Sequence, residues 1–321
     1  MALAHTTTIE DLHLDLVVHA LRLLDGPALA AASCATTHLH SVASHPDVWH
    51  DLCLSTWPSL RHHPELLHAI IPSFAGSHRS FFSEAYPFPF LAGQYGDPGN
   101  TIKLPRELLS AVDIYHKGVP ILSRVIETET ESQWFNGSPF RVDVLDRKDP
   151  DQKIMETPAV VSPGELTLSW IVIDPEGRKA VNLSSRRPVT VDKHWYSGET
   201  VVKYAMANGD RSVAAMITVT VASEEEGAHV REVSLMLEDE DGICLNGKES
   251  LAIIKGAMEG EKFGRGRGEE EEQAKKRYEE HMERRKERKE RRARNETRID
   301  TCCIAIGVSI FLAFMVLVVF R

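Results

Sequence analysis

The chain has 321 residues, 42% apolar and 26% charged, the balance of an ordinary globular protein with room for roughly two domains and a sizeable core. Its net charge of -10 is uneven: residues 1–260 hold 21 Lys/Arg against 35 Asp/Glu, whereas residues 275–298 hold 12 against 6. An acidic body excludes nucleic acid as a partner, because neutralising phosphates needs a basic face.

The N-terminus MALAHTTTIEDLHLDL lacks a basic start and a clean apolar run, so no signal peptide is expected. From residue 9 the chain reads IEDLHLDLVVHALRLLDGPALAAASCATTHLHSVASHPDVWHDLC, with more apolar side chains than one amphipathic helix needs. Leu16, Ala20 and Leu24 share one helical face, and Leu14, Val17, Val18 and Leu21 spread around the rest. Asp25-Gly26-Pro27 should end that helix, with Gly as its cap, and start another on Pro. A second helix over 28–35, a third led by Thr37 or Ser41 and a last turn after Pro46 complete the segment. Three or four helices of this size cannot hide so much apolar surface alone, so something else must cover them.

A helical and loop connector over 56–100 ends in GQYGDPGN (93–100), whose glycines and proline mark a boundary. Residues 101–258 then alternate with period two. Strand-like runs occupy 140–146, 166–174, 178–184, 188–195, 200–206, 214–223 and 231–239. Asp174-Pro175-Glu176-Gly177 suits a type I turn, and Asn208-Gly209 is a hairpin signal between two of the runs. Seven strands at this spacing predict an antiparallel β-sandwich.

Residues 259–300 read as a charged stalk, a solvated helix with too little apolar content for a coiled-coil seam. Residues 302–320, CCIAIGVSIFLAFMVLVVF, carry no charge, and nineteen residues at 1.5 Å each give about 28 Å, close to the hydrocarbon thickness of a bilayer. A transmembrane helix is therefore expected, with the Lys/Arg before it kept in the cytoplasm. That predicts a tail-anchored, single-pass protein with its body in the cytosol, on an endomembrane such as the endoplasmic reticulum or, alternatively, on the mitochondrial outer membrane. Cys302 and Cys303, at the edge of the span, are candidates for lipidation.

The N-terminal residues carry a family likeness. Leu12-x-x-Asp15-Leu16, Ala20-Leu21-x-x-Leu24, Ala32-Ser33-Cys34 and Pro46-Asp47-Val48-Trp49-x-x-Leu52-Cys53 resemble an F-box over residues 9–55. The segments TWPSL, SHRSFFSEAYP, AVDIYHKGVPILSRVIETET, SPFRVDVLD, LTLSWIVIDPEGRKAVNLSS and HWYSGE extend the likeness to a plant F-box family, over roughly residues 9–255. Members pair an N-terminal F-box with an uncharacterised C-terminal region lacking leucine-rich or Kelch repeats.

This resemblance implies that the first helices dock on a Skp-type adaptor, and through it on the cullin and RING protein of a ubiquitin ligase. The adaptor-binding set would be Leu12, His13, Asp15, Leu16, Ala20, Leu21, Leu24 and Trp49, with Leu12, Leu16, Leu21 and Leu24 leading. His13 stands where the family usually has Pro, which implies somewhat weaker docking. An unknown protein target would be held by residues 101–258, and membrane lipid would receive the anchor. The sandwich is similar to the phloem-lectin modules of other plant F-box proteins. A membrane-attached, lectin-like binding module that uses the helices only for packing is thus the competing reading.

Nothing points to catalysis or to a cofactor. The histidines at 38, 40, 45 and 50 lack a completing metal-ligand set, and GRGRG (264–268) follows no strand. Glu238-Asp239-Glu240-Asp241-Gly242 lacks the alternation of a calcium loop and reads as a solvated hairpin turn. The fold class expected is α+β: a small helical N-terminal unit, an antiparallel sandwich, a charged stalk and one membrane helix.

Overall fold

The computed structural model describes residues 12–86, 104–145, 162–207, 212–224, 227–260 and 267–320. Its fold is α+β, with a helical N-terminus, two antiparallel sheets and a long C-terminal helix that ends in an apolar stretch. The GQYGDPGN boundary and the Asn208-Gly209 turn lie outside the described residues.

Five helices come first: α1 (Leu14–Arg22), α2 (Gly26–Ser33), α3 (Thr37–Ala43), α4 (Pro46–Thr56) and α5 (Ser77–Ala85). Side chains close their ends. Asp25 Oδ1 accepts from the N–H of Ala28 at 3.0 Å, and Thr36 Oγ1 from that of Leu39 at 3.1 Å. Gly26 is not the cap of α1, a place that Leu23 takes; it is the buried first residue of α2. A Cβ there would lie 2.1 Å from the Phe82 ring, so close packing of α5, not backbone freedom, requires glycine.

Nine strands follow among the described residues: β1 (Glu107–His116), β2 (Val119–Glu129), β3 (Arg141–Leu145), β4 (Leu166–Asp174), β5 (Lys179–Asn182), β6 (Thr190–Lys193), β7 (Thr200–Ala207), β8 (Val213–Glu224) and β9 (Gly227–Asp239). They form a sheet of order β2-β1-β4-β5 and another of order β3-β9-β8-β7-β6, with every pairing antiparallel. Short α6 (Gln133–Gly137) links the sheets, and α7 (Gly247–Glu259) follows β9. Alternate residues sort the faces. Leu108, Val112, Leu168, Trp170 and Val172 of the first sheet share one core with Val202, Tyr204, Ile217, Val219 and Leu235 of the second.

The opposite faces are covered too. Leu109, Ala111, Ile171, Ile173 and Ala180 join Trp49, Trp57, Leu60, Phe81 and Phe82 in a second cluster, so the helical unit lies on the outer face of the four-stranded sheet. That covering is what the apolar N-terminal segment needed. Polar contacts fix the junction: Trp57 Nε1 donates to Ser169 Oγ at 3.0 Å, and the Tyr115 hydroxyl donates to the Thr56 carbonyl. Fully buried Asp113 accepts from the Ser59 N–H at 2.9 Å and from its hydroxyl at 2.6 Å. Burial raises the Asp113 carboxyl to about 6, although the Ser59 hydrogen bonds, the neighbouring Ser123 hydroxyl and the His62 charge oppose the rise.

α8 (Arg267–Val319) is one continuous helix of 53 residues. Its first half does not stand free in solvent. Tyr278 packs with Val189, Ala205, Ala207, Ala214 and Met216 on the outer face of the five-stranded sheet, and Ala274 and His281 are buried beside it. Arg187 Nε meets Glu271 at 2.9 Å, Arg285 Nη1 meets Glu238 at 2.9 Å, Arg292 Nη2 meets Asp241 at 2.6 Å, and Arg288 pairs with Glu240. The 238–242 turn is present, but these carboxylates are spent on α8 and not on solvent. Gly242 has φ +76°, and the space its side chain would fill holds the Arg285 guanidinium. The layers are therefore helices, sheet, sheet and helix.

Candidate functional site

Among the described residues outside the C-terminal stretch, large apolar side chains are exposed on and beside α1, at Trp134 and over the segment from Val191 to Tyr196. Val17 and Leu21 point into the helical core, while Leu12, Leu14, Leu16 and Leu23 are 44%, 52%, 60% and 75% exposed. Four leucines facing water on so short a segment is a costly arrangement, the signature of a surface made to be covered.

Of the eight residues in the predicted adaptor set, Leu12, His13, Asp15, Leu16 and Ala20 lie on the exposed side. Leu24 is half-buried against the helical core. Leu21 and Trp49 are inside it: the Trp49 indole N–H donates to the Ala43 carbonyl at 2.7 Å, its ring meets Phe82 edge-on at 5.6 Å, and Arg79 lies 5.7 Å from its centroid. These two hold α1 and α4 together, and the outward surface lies on their far side. Leu23 lies on the Leu16 side, and Leu14, two residues from Leu16 and so about 160° round the helix, is exposed on another side of α1. Their signal was a helix apolar on two sides, which one stripe facing one core does not require.

His13 occupies the position before α1, and its Nδ1 accepts from the Asp15 N–H at 3.4 Å. Its φ of -60° is close to the value a proline ring imposes, so the backbone already has the entry geometry of the residue it replaces. Cys53 is sealed under α5; burial pushes its thiol up, which removes it as a nucleophile. Burial, with His50 beside it, lowers His78. No group of His, Cys, Asp or Glu able to hold a metal is found among the described residues.

At the other end, the second half of α8 has no protein against it. It supplies the one helix among the described residues that is long and apolar enough to cross a membrane, and Cys302 and Cys303 are exposed where its uncharged stretch starts.

A probable F-box protein of Arabidopsis thaliana is 43% identical over 326 residues, covering 98% of this chain and 95% of that protein. The chain belongs to the F-box protein family. Two further F-box proteins of the same plant are 35% identical, covering 98% of this chain and 97% of the relative, and 41% identical, covering 82% and 76%. No family model and no solved structure matches the chain. The F-box likeness thus runs through the sandwich and is not confined to α1–α4.

Proposed function

We propose that this chain is the non-catalytic substrate-recognition subunit of an SCF-type ubiquitin ligase, tail-anchored in a membrane. Residues 9–55 dock on a Skp-type adaptor and through it on cullin and RING protein; residues 101–258 hold a protein target; residues 302–320 span the bilayer with the body in the cytosol. The carrying observation is the unpartnered leucine face of α1 in a chain of this family. Leu12, Leu14, Leu16 and Leu23 supply apolar area for an interface, and Asp15 and His13 supply a polar rim.

The anchor adds a second term. Confining receptor and target to one surface raises their effective concentration, so a weak recognition site suffices for membrane-proximal targets. Residues 284–298 hold nine Lys/Arg against three Asp/Glu next to the span, which favours an anionic cytosolic leaflet.

The deciding experiment is adaptor co-precipitation with the full chain carrying Leu14→Asp and Leu16→Asp. Both side chains are exposed, so the fold should persist by circular dichroism while adaptor capture is lost. Undiminished capture would move the docking surface off these leucines, and no capture by the unaltered chain would favour the competing reading, helices that only pack in a membrane-attached binding module.

A further inference from the structure

The five-stranded sheet ends in β6, and no second strand pairs with it among the described residues. The His194 N–H donates to the Glu199 carbonyl at 2.7 Å, which fixes the parity of the ladder: the backbone groups of residues 190, 192 and 194 face β7. Those of Val191 and Lys193 therefore point out from the sheet edge. Val191 stands in register with the buried Val202, on the face turned towards the other sheet, yet is 45% exposed. Lys193 lies on the same side, exposed and with no ion pair among the described residues. Asp192 alternates to the opposite face, where its charge acts on Tyr278 of α8.

The turn that follows β6 is braced. The Gly198 N–H donates to the His194 carbonyl at 2.9 Å with φ +71°, the Ser197 hydroxyl donates to Glu199 at 2.9 Å, and Arg231 holds the other Glu199 oxygen at 2.9 Å. This frame presents Trp195 and Tyr196 edge to face, 5.7 Å between centroids, at 90% and 82% exposure. Two large rings held in water on a rigid turn suit the anchors of an interface, since little freedom is lost when they are covered. The turn lies at the opposite end of the sheet from Asp241, where α8 leaves for its uncharged stretch, so it points away from the anchor.

Charge narrows what can cover this edge. Arg186 and Arg187 are spent on Glu271, and Glu199 on Arg231, which leaves Lys193 as the cation beside the rings. A lysine alone on an open edge deters pairing with another strand; next to two exposed aromatics it selects the partner by sign. We propose that β6 takes up an extended, acidic segment of the ubiquitination target as a further strand. An apolar side chain of that segment covers Val191, a carboxylate at the next position on the same face meets Lys193, and an apolar side chain beyond it packs on Trp195 and Tyr196. Main-chain pairing with Val191 and Lys193 supplies affinity, and the alternate side chains supply selection. The proposal rests on the reading of residues 101–258 as the target-holding part and gives that part a place.

The test is selection of phage-displayed random dodecapeptides on the full chain in lipid nanodiscs, after depletion on empty nanodiscs, with fluorescence anisotropy of the enriched peptides. Peptides with Asp or Glu flanked by apolar residues at alternate positions are expected. Trp195→Ala, at an almost fully exposed ring, and Lys193→Glu should each weaken them at least tenfold, and replacing the peptide's acid by Lys should restore binding to Lys193→Glu. Val191→Pro removes one outward N–H without breaking the ladder and should abolish binding. If it does not fold, the other two variants still decide. Enriched peptides without the acidic pattern, or indifferent to Trp195→Ala and Lys193→Glu, overturn the β6 site and leave the target-holding reading standing. No enrichment overturns both, and adaptor capture, which Trp195→Ala should not alter, tests the receptor reading separately. A dimer of the chain by light scattering that Trp195→Ala dissociates would give the edge to a second copy and also overturns the proposal.

Discussion

The helices at the two ends of the chain treat their side chains in opposite ways. α1 keeps Val17 and Leu21 for the core and leaves Leu12, Leu14, Leu16 and Leu23 in water. The first half of α8 uses its charges inside the molecule, with Glu271 on Arg187 and Arg285, Arg288 and Arg292 on the 238–241 carboxylates. A stripe without an internal partner marks a surface for another molecule; a stripe with one marks a joint. The charged helix, which by composition belongs to solvent, is the joint, and the apolar helix is the free surface.

The largest test of this contrast compares the two sides of the N-terminal unit. Trp49→Ala removes a buried ring and its hydrogen bond to Ala43, and should destabilise the unit by about 3–5 kcal/mol. Leu16→Asp, on the far side, should change stability by less than about 0.5 kcal/mol. Chemical denaturation of the two variants measures both, and a large loss from Leu16→Asp would place that leucine in the core.

The next effect tests how firmly the sheet carries the leucine face. Asp113 sits between them, its carboxyl raised by burial from 3.8 to about 6. The folded state therefore binds this proton more tightly than the unfolded one. The contribution of Asp113 to stability is greatest below about pH 4, declines as pH rises towards 6 and is constant above it, a change of up to about 3 kcal/mol. Asp113→Asn still accepts from the Ser59 N–H but carries no charge. The variant should therefore gain on the wild type by that amount between pH 4 and 7. A difference independent of pH would remove the buried charge from this account.

Breaking the joint itself should cost less. Its three arginine pairs are partly solvated, so at about 0.5 kcal/mol each their loss and reversal amount to roughly 2 kcal/mol. The triple variant Arg285→Glu, Arg288→Glu, Arg292→Glu should lose hydrogen-exchange protection over 271–292 and keep it in β7 and β8. Restoring protection by Glu238→Arg, Glu240→Arg and Asp241→Arg in the same chain would confirm pairing as the cause. Unchanged protection in the triple variant would mean that Tyr278 and its apolar neighbours suffice.

Burial on both faces did not by itself hide a strand: β4, with Trp170 to Asp174 all buried, was legible, and β2, mostly half-exposed, was not. β3 to β9 follow predicted runs, whereas β1 and β2 formed a hairpin that alternation did not mark. In β1, Leu109 and Ala111 face the helices while Leu108 and Val112 face the sandwich, so ELLSAVDIYH reads as a continuous run. The docked stripe of α8 was hidden differently. Positions 271, 274, 278, 281, 285, 288 and 292 keep a three-four spacing, but Glu, Ala, Tyr, His and three Arg fill it, and a search for apolar residues passes over them. Leu21 and Trp49 show the remaining limit. A motif says which residues the face needs, and only packing separates those that touch a partner from those that hold the face in place.

The smallest effect bears on the free surface alone. His13 has φ -60°, near the value that proline locks, and its side chain makes only exposed contacts with Asp15. His13→Pro should therefore fit the existing entry to α1 and stabilise the chain by about 0.4–1 kcal/mol, through the freedom it removes from the unfolded state. The histidine side chain reaches no part of the core, so nothing buried is given up. If the leucine face docks on the adaptor, a pre-formed α1 entry also lowers the ordering cost of binding, and adaptor affinity should rise severalfold in a direct titration. Higher melting temperature with unaltered affinity would separate the two roles. It would mean that α1 is already fully ordered before it binds, and that the departure from the usual proline is neutral for docking.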